Sequence, residues 1–336
     1  MDPVTVGKPA TIYDVARAAG VSHQTVSRYL RGYDGIRPQT RGRVEVAIKS
    51  LGYRPNLAAR LLRSRTSTRI GALAHEMSEM GPARVVQGAY QAARRAGYVL
   101  DVVMLDGYDD KSISDAIDLL TEQQVAGIFA TAQTDRVKAV LEQHPRNIPI
   151  FIDSRMLTTV DGRPSPNNEF AGRVAAEALL ALGHRTMATV TGPMEWHVSR
   201  DRLDGFADAL AIHGLTPAAV LEGDWSPRSG YEAGMLLPID TGITGVFAAN
   251  DHMALGVIRA LGERGIRVPH DMSVVGVDDI PEAAFLTPSL STVRLDFEAE
   301  GHYAMNCLIA EIEGRSTPVE DPPHPFLVER DSTRSR

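Results

Sequence analysis

His23, Gln24, Thr25, Ser27 and Arg28 place a ring, an amide, two hydroxyls and a guanidinium within one short stretch. These groups suit nucleic acid: Arg forks onto guanine, Gln onto adenine, and hydroxyls take phosphate oxygens. A second set is scattered along the chain but shares one context, the end of an apolar run. Asp153 closes Ile150-Phe151-Ile152, Asn250-Asp251 follows Val246-Phe247-Ala248-Ala249, and Asp278-Asp279 follows Val274-Val275-Gly276-Val277. Arg202 lies in the charged stretch from Ser199 to Phe206. Carboxylates, an amide and a guanidinium together suit vicinal hydroxyls, because each hydroxyl donates to a carboxylate while accepting from Arg or Asn. Trp225 and Phe297 add flat faces suited to the apolar side of a sugar ring.

The first set needs a helix to present it. Thr11 to Arg28 reads as two short helices joined by a turn: Val15, Ala16 and Ala19 form an apolar stripe, Gly20 supplies the turn, and Ser22 caps a helix whose Val26 and Leu30 point inward. A third amphipathic helix follows from Pro38 to Leu51, and then Gly52-Tyr53-Arg54-Pro55-Asn56-Leu57-Ala58-Ala59-Arg60-Leu61-Leu62. Charge separates this region from the rest. Residues 1–68 hold 12 Lys or Arg against 4 Asp or Glu, a net +8, which leaves 23 against 38, a net −15, for residues 69–336. That reversal is the footprint of a nucleic-acid module joined to an acidic body, and the overall −7 conceals it.

On these residues the chain resembles the lactose repressor family of bacterial transcription regulators, from Thr11 through nearly its whole length. The resemblance implies that the first three helices dock on an operator half-site and that the segment after Tyr53-Arg54-Pro55-Asn56 forms a hinge helix in the minor groove. Leu62 matches the hinge leucine that wedges into the central base step, and apolar wedges of this kind kink DNA. The surrounding Arg60, Arg63, Ser64 and Arg65 give Leu61 and Leu62 no long apolar face to join. The DNA contacts expected are Thr11, Tyr13, Ser22, His23, Gln24, Thr25, Arg28, Asn56, Ala59 and Leu62. Of these, His23, Gln24 and Arg28 read base edges, while Thr11, Ser22, Thr25 and Asn56 hold phosphates.

The second set needs strands that end at a common cleft. From Arg69 onward, apolar runs alternate with amphipathic stretches: strands at Ile70–Ala74, Tyr98–Leu105, Val125–Ala130 and Ile148–Asp153, with helices near Ala83–Ala96, Ser112–Gln124 and Asp135–His144. A second unit begins near Asn167, with strands at Thr186–Thr191, Val246–Ala249 and Ser273–Val277 and helices at Phe170–Leu182, Val198–His213 and Asp251–Arg264. The expected fold is α/β: a helix-turn-helix headpiece (1–55), a hinge helix and linker (56–68), and an effector and dimerisation domain (69–336). The last comprises two doubly wound subdomains of periplasmic-binding-protein type, about 69–166 with 297–325, and about 167–296 with 326–336.

By the same resemblance, Asp153, Arg202, Trp225, Asn250, Asp278 and Phe297 match positions lining the effector pocket in the repressor that gives the family its name. Asp251 and Asp279 are assigned to helix capping. On the opposite wall, His75 and Glu79 replace a small hydroxyl and a leucine, and Leu295 replaces an amide. Glu79 disfavours an apolar aglycone, so the effector expected is a sugar or glycoside with a polar extension. His75 fits either the cleft wall or an exposed position on its rim.

A glycosidase using Asp153 and Asp278 requires one carboxyl with a raised pKa, and Arg202 is expected to lower both instead. A sugar-binding protein without a regulatory role leaves the basic segment unexplained. A regulator acting with a corepressor or partner protein is the remaining alternative. The partners expected are a pseudo-palindromic operator, a sugar and a second copy of the chain, the dimer following from the lack of a heptad tail; no cofactor and no metal enter this reading. No signal-like start and no apolar run of about 18 residues is present, so a cytoplasmic location without membrane contact is expected. Cys307 is expected to be packing material.

Overall fold

The computed structural model describes residues 10–30, 33, 35–53, 67–131, 134–143, 148–152, 157–160, 163–316 and 324–336. Its contacts divide the chain into two units, Met1–Ser67 and Thr68–Arg336.

In the first unit, α1 (Ile12–Ala19), α2 (His23–Leu30) and α3 (Pro38–Ser50) enclose a small core of Val15, Ala16, Ala19, Val26, Val44 and Ala47. Thr11 starts α1 with a capping box, its hydroxyl accepting from the Asp14 amide while the Asp14 carboxylate takes the Thr11 amide. Gly20 ends α1 at φ +62°, a left-handed conformation that turns the chain into α2. Ser22 accepts from the Thr25 amide at 3.2 Å and so caps α2.

The second unit carries two sheets. The first has the order β2-β1-β3-β4, from β1 (Arg69–Ala74), β2 (Val99–Met104), β3 (Ile128–Ala130) and β4 (Ile150–Ile152), all parallel. Around it lie α4 (Met80–Arg95), α5 (Asp110–Glu122) and α6 (Asp135–Gln143). A hairpin, β5 (Leu157–Val160) with β6 (Arg163–Pro166), precedes α7 (Asn167–Ala181).

The second sheet runs β12-β11-β10-β9-β7-β8. Its strands are β7 (Met187–Thr191), β8 (Ala219–Glu222), β9 (Gly245–Ala248), β10 (Ser273–Val277), β11 (Ser291–Arg294) and an antiparallel β12 (Phe326–Val328). Three of these, β8, β11 and β12, were not anticipated. Two are short half-exposed or edge strands whose apolar runs, 218–221 and Phe326–Val328, span only three or four residues, and Ser291-Thr292-Val293-Arg294 is polar because its buried hydroxyls bond other segments. The helices are α7, α8 (His197–Ala211), α9 (Pro227–Leu236) and α10 (Asp251–Glu263), and α11 (Phe297–Ile312) returns to pack on α4.

The helix that carries Arg202 is held by backbone-to-backbone contact. A Cβ on Gly205 of α8 would lie 1.8 Å from the Glu169 carbonyl oxygen of α7, and one on Gly172 of α7 would lie 2.0 Å from that of Arg202. No rotamer relieves a clash with backbone, so the helices must separate. Gly205→Ala is therefore expected to lose about 2 kcal/mol or more of stability in urea unfolding, the range of a badly overpacked core; stability within a few tenths of wild type would show that the pair tolerates separation.

Candidate functional site

In the first unit, the polar face of α2 is open to solvent: Ser22, His23, Gln24 and Arg28 are exposed, and Thr25 is half-buried. Tyr13 from α1 is 60% exposed and sets its ring 5.3 Å from that of His23, which joins the two helices on the open face. The Arg28 guanidinium lies over Tyr33 at 5.8 Å. Two of the residues expected on phosphates already work within the fold. Thr11 holds the α1 capping box and Ser22 bonds the Thr25 hydroxyl at 3.0 Å. Both remain exposed. Asn56, Ala59 and Leu62, with Arg60, Leu61, Arg63, Ser64 and Arg65, lie outside the described residues, as does Asp153.

In the second unit, both sheets direct the carboxyl ends of their parallel strands at one place, where ligands gather in open α/β folds. His75 follows β1, Trp225 follows β8, Asn250 follows β9 and Asp278 follows β10, while Arg202 reaches in from α8.

Arg202 is the hub, and it is only 4% exposed. Its Nε donates to Asn168 Oδ1 at 2.9 Å, one Nη to the Ala249 carbonyl, and the other Nη to Asp278 Oδ1 at 3.3 Å. Its guanidinium also lies 5.8 Å from the Trp225 ring centre. Trp225 sits at φ +71°, with its six-membered ring in the space that a side chain at Gly192 would fill. Its buried Nε1 has no hydrogen-bond partner among the described residues.

Asp278 departs from the expectation for its charge. Arg202 was expected to hold its carboxyl low, yet burial outweighs that pairing and the nearby His252, and pushes the pKa up to about 6, with Glu79 adding to the rise. Glu79 is itself raised, by burial and by Glu76 and Asp224.

The capping assignments are corrected. Asn250, expected to face a ligand, is the cap of α10: its Oδ1 accepts from the Met253 amide at 2.8 Å and its Nδ2 donates to the Trp225 carbonyl at 3.0 Å. An uncharged amide can do both in a buried position, which a carboxylate cannot. Asp251 lies inside the helix and braces the following turn, accepting from Thr292 Oγ1 at 2.6 Å and the Ile280 amide at 2.9 Å. Asp279 caps nothing; its carboxylate is held by Arg294 and Arg330.

His75 is not on an exposed rim. It is 2% exposed, 5.6 Å from the ring of Trp196, and burial lowers its pKa to about 4. Phe297 is buried against Gly81, two residues from Glu79, within a core cluster that does not include Trp225.

Trp196 was missed, although it follows β7 as the other site residues follow their strands. It is 3% exposed, 5.6 Å from the Trp225 ring, and its Nε1 donates to the Tyr108 hydroxyl at 2.8 Å. Beside it the Asp135 carboxylate lies 3.2 Å from His197 Nε2 and 3.0 Å from Arg200 Nη2. These contacts join Tyr108 and the start of α6 to the start of α8. Tryptophan and histidine in Glu195-Trp196-His197 carry no pattern of their own, so only the strand-end position marked them.

The two titrating groups pull stability in opposite directions. His75 favours its neutral form when folded, so its contribution is present above pH 6.5 and is lost as pH falls through about 4. Asp278 favours its protonated form, so its contribution is present below pH 3.8 and is lost as pH rises through about 6. Each window is worth about 3 kcal/mol. Relative to wild type, Asp278→Asn should therefore gain about that much between pH 4 and 6.5, and His75→Gln should gain it on the way down. Urea unfolding across this range checks both signs; parallel profiles would contradict them.

Residues 11–56 match the family described as bacterial regulatory proteins, lacI family, and residues 176–333 match a periplasmic binding protein-like domain. The chain is 34% identical to the lactose operon repressor of Escherichia coli K12 over 92% of its length and 86% of that protein's. It is 32% identical to the HTH-type transcriptional repressor PurR of Vibrio cholerae over 97% and 98%. Among solved structures it resembles the lac repressor dimer bound to operator and the anti-inducer ONPF, with a TM-score of 0.85, 32% identity, and coverage of 98% of this chain and 100% of that one. Among the described residues, no helix is long and apolar enough to cross a membrane.

Proposed function

Because the chain belongs to the lacI family of bacterial regulatory proteins, we propose that it is a dimeric transcriptional repressor of carbohydrate-utilisation genes, released from a pseudo-palindromic operator by a sugar or glycoside. The headpiece (1–55) reads the operator through His23, Gln24 and Arg28, with Tyr13 beside His23 and with Thr11, Ser22, Thr25 and Asn56 on phosphates. The hinge (56–68) lies in the minor groove through Ala59 and Leu62. The effector domain (69–336) binds sugar among Asp153, Arg202, Trp225 and Asp278, with His75, Glu79 and Phe297 lining the site and Asn250 holding the Trp225 backbone.

The observation that carries the effector reading is the buried Arg202–Asp278 pair beside the unsatisfied Trp225 Nε1. An Arg with donors to spare, a carboxylate and an indole N–H offer a polyol both kinds of partner on an aromatic floor. A buried donor without a partner is costly, and a hydroxyl oxygen at Nε1 relieves it. Glu79 and Asp224 place further carboxylates nearby, which favours a polar extension on the sugar. Closure on the effector separates the paired hinges, which are too short to stay helical alone.

The test is a panel of lactose, melibiose, cellobiose, maltose and hypoxanthine against a labelled operator duplex bound to the full chain. Release by a sugar, with a change in tryptophan fluorescence, is expected. Tighter operator binding with hypoxanthine and indifference to every sugar would instead support a corepressor. Hydrolysis of a nitrophenyl glycoside would support an enzyme.

A further inference from the structure

Asp278 and Asp279 are consecutive non-glycine residues at positive φ, +109° and +53°. Left-handed backbone is unfavourable for such residues and persists only where the surroundings hold it. The surroundings here are specific. Asp278 donates its amide to the Val293 carbonyl at 2.9 Å, and Asp279 donates its own to Thr292 Oγ1 at 3.3 Å. The Asp279 side chain is 3% exposed. Its Oδ2 accepts from Nε of Arg294 at 2.6 Å and from Nη2 of the same residue, and its Oδ1 accepts from Arg330 Nη2 at 2.6 Å. Burial alone would raise this carboxyl, but the two guanidiniums hold it below the usual range.

Arg330 belongs to the segment after β12, which is stitched onto the second sheet. Its amide donates to Ser291 Oγ and its other Nη to the Leu290 carbonyl, while Ser332 takes the Ser291 amide and donates to the Val274 carbonyl. Arg294 closes β11, just before the chain crosses to α11, and Arg330 comes just after its return through β12. The Asp279 carboxylate therefore clasps both crossings at the turn that presents Asp278.

We propose that Arg330 is a positioning residue for effector binding: through Asp279 it holds the left-handed turn that aims the Asp278 carboxylate at Arg202, without itself touching the effector. The proposal rests on the effector reading given above. Arg294 is half exposed, whereas Arg330 is mostly buried and anchored at three points, so Arg330 supplies the fixed side of the clasp.

The experiment uses the full chain with Arg330→Gln and Arg330→Lys. Losing a charge-assisted hydrogen bond that positions a ligand group should weaken binding of the panel's active sugar about tenfold in calorimetry. Lysine, which restores the charge without the fork, should recover part of the loss. Operator affinity without sugar should stay at the wild-type value in both.

A second readout needs no sugar. The Asp278-dependent part of the pH–stability profile is the difference between each protein and its Asp278→Asn counterpart; Arg202, His252, Glu79 and Asp251 are the titratable and charged groups that face Asp278. In the Arg330→Gln background its midpoint should move to higher pH, because a carboxyl turned away from Arg202 is harder to ionise. A role confined to overall stability lowers both profiles and leaves that midpoint in place. An unchanged midpoint, or wild-type sugar affinity in Arg330→Gln, overturns the proposal. If no sugar binds the wild-type chain, the effector reading fails, and the midpoint alone still judges Arg330.

Discussion

Asp278→Asn should bind the operator as wild type does and no longer release it in sugar. The carboxylate faces Arg202 in the interior of the second unit, and neither belongs to the headpiece. Asparagine keeps the size of the side chain and an oxygen for Arg202, which retains Asn168 and the Ala249 carbonyl in any case. What disappears is the charged acceptor for sugar hydroxyls. A hydrogen bond to a charged group is worth about 1.5–3 kcal/mol, on the order of ten- to a hundredfold in Kd. An effector shifts the hinge equilibrium only by its differential affinity for the two states, so that loss removes the drive for release and leaves the empty protein's preference unchanged.

Arg202→Ala should produce the same phenotype at greater cost to the fold, because it strands Asp278 in a buried position without its cation. Operator affinity with and without the active sugar, paired with calorimetry, decides the matter. An Asp278→Asn protein that binds sugar normally and still lets go of DNA places the effector elsewhere.

Arg28→Ala should weaken the operator selectively. Arg28 is exposed on the face of α2 shared by His23 and Gln24, and its guanidinium lies over Tyr33, which orients it away from the core. A bidentate contact with one base is worth about 1–3 kcal/mol of discrimination, and a dimer makes it twice. A phosphate contact instead weakens all sequences alike and lowers the salt slope by about one ion. The affinities for operator and scrambled duplex across a salt series separate these cases. Equal weakening of both duplexes would falsify base reading by Arg28 and move it to the backbone.

Much of this was legible in the chain because the signals were local. The capping serine Ser22, the glycine turn and the apolar stripe of Val15, Ala16 and Ala19 lie within ten residues and mark the headpiece unaided. Apolar runs long enough to be buried on both faces marked β1, β7, β9 and β10. The end of β10 pointed to Asp278, since parallel strands deliver their carboxyl ends to one side, whereas Trp225 came from the family resemblance.

The misreadings have a common cause. Asp251, Asp279 and Asn250 all follow strands, and local sequence cannot tell which one caps a helix, which braces a turn and which is held by an ion pair. The partners that decide it, Thr292, Arg294 and Arg330, are distant along the chain. His75 and Trp196 were placed or missed for the same reason.

By itself, then, the sequence determined the family, the helix-turn-helix, the alternation of strands and helices, and the set of polar groups at strand ends, because caps, periodicity and charge act over a few residues or sum over a segment. Only the tertiary structure decided which of those groups meet and in what state of charge. It put Arg202 between Asn168, Ala249 and Asp278, raised the Asp278 carboxyl against the pull of that arginine, and locked the turn beneath it with Arg330. Burial and ion pairing depend on what the rest of the chain excludes or supplies at a point in space, and no run of neighbouring residues contains that information.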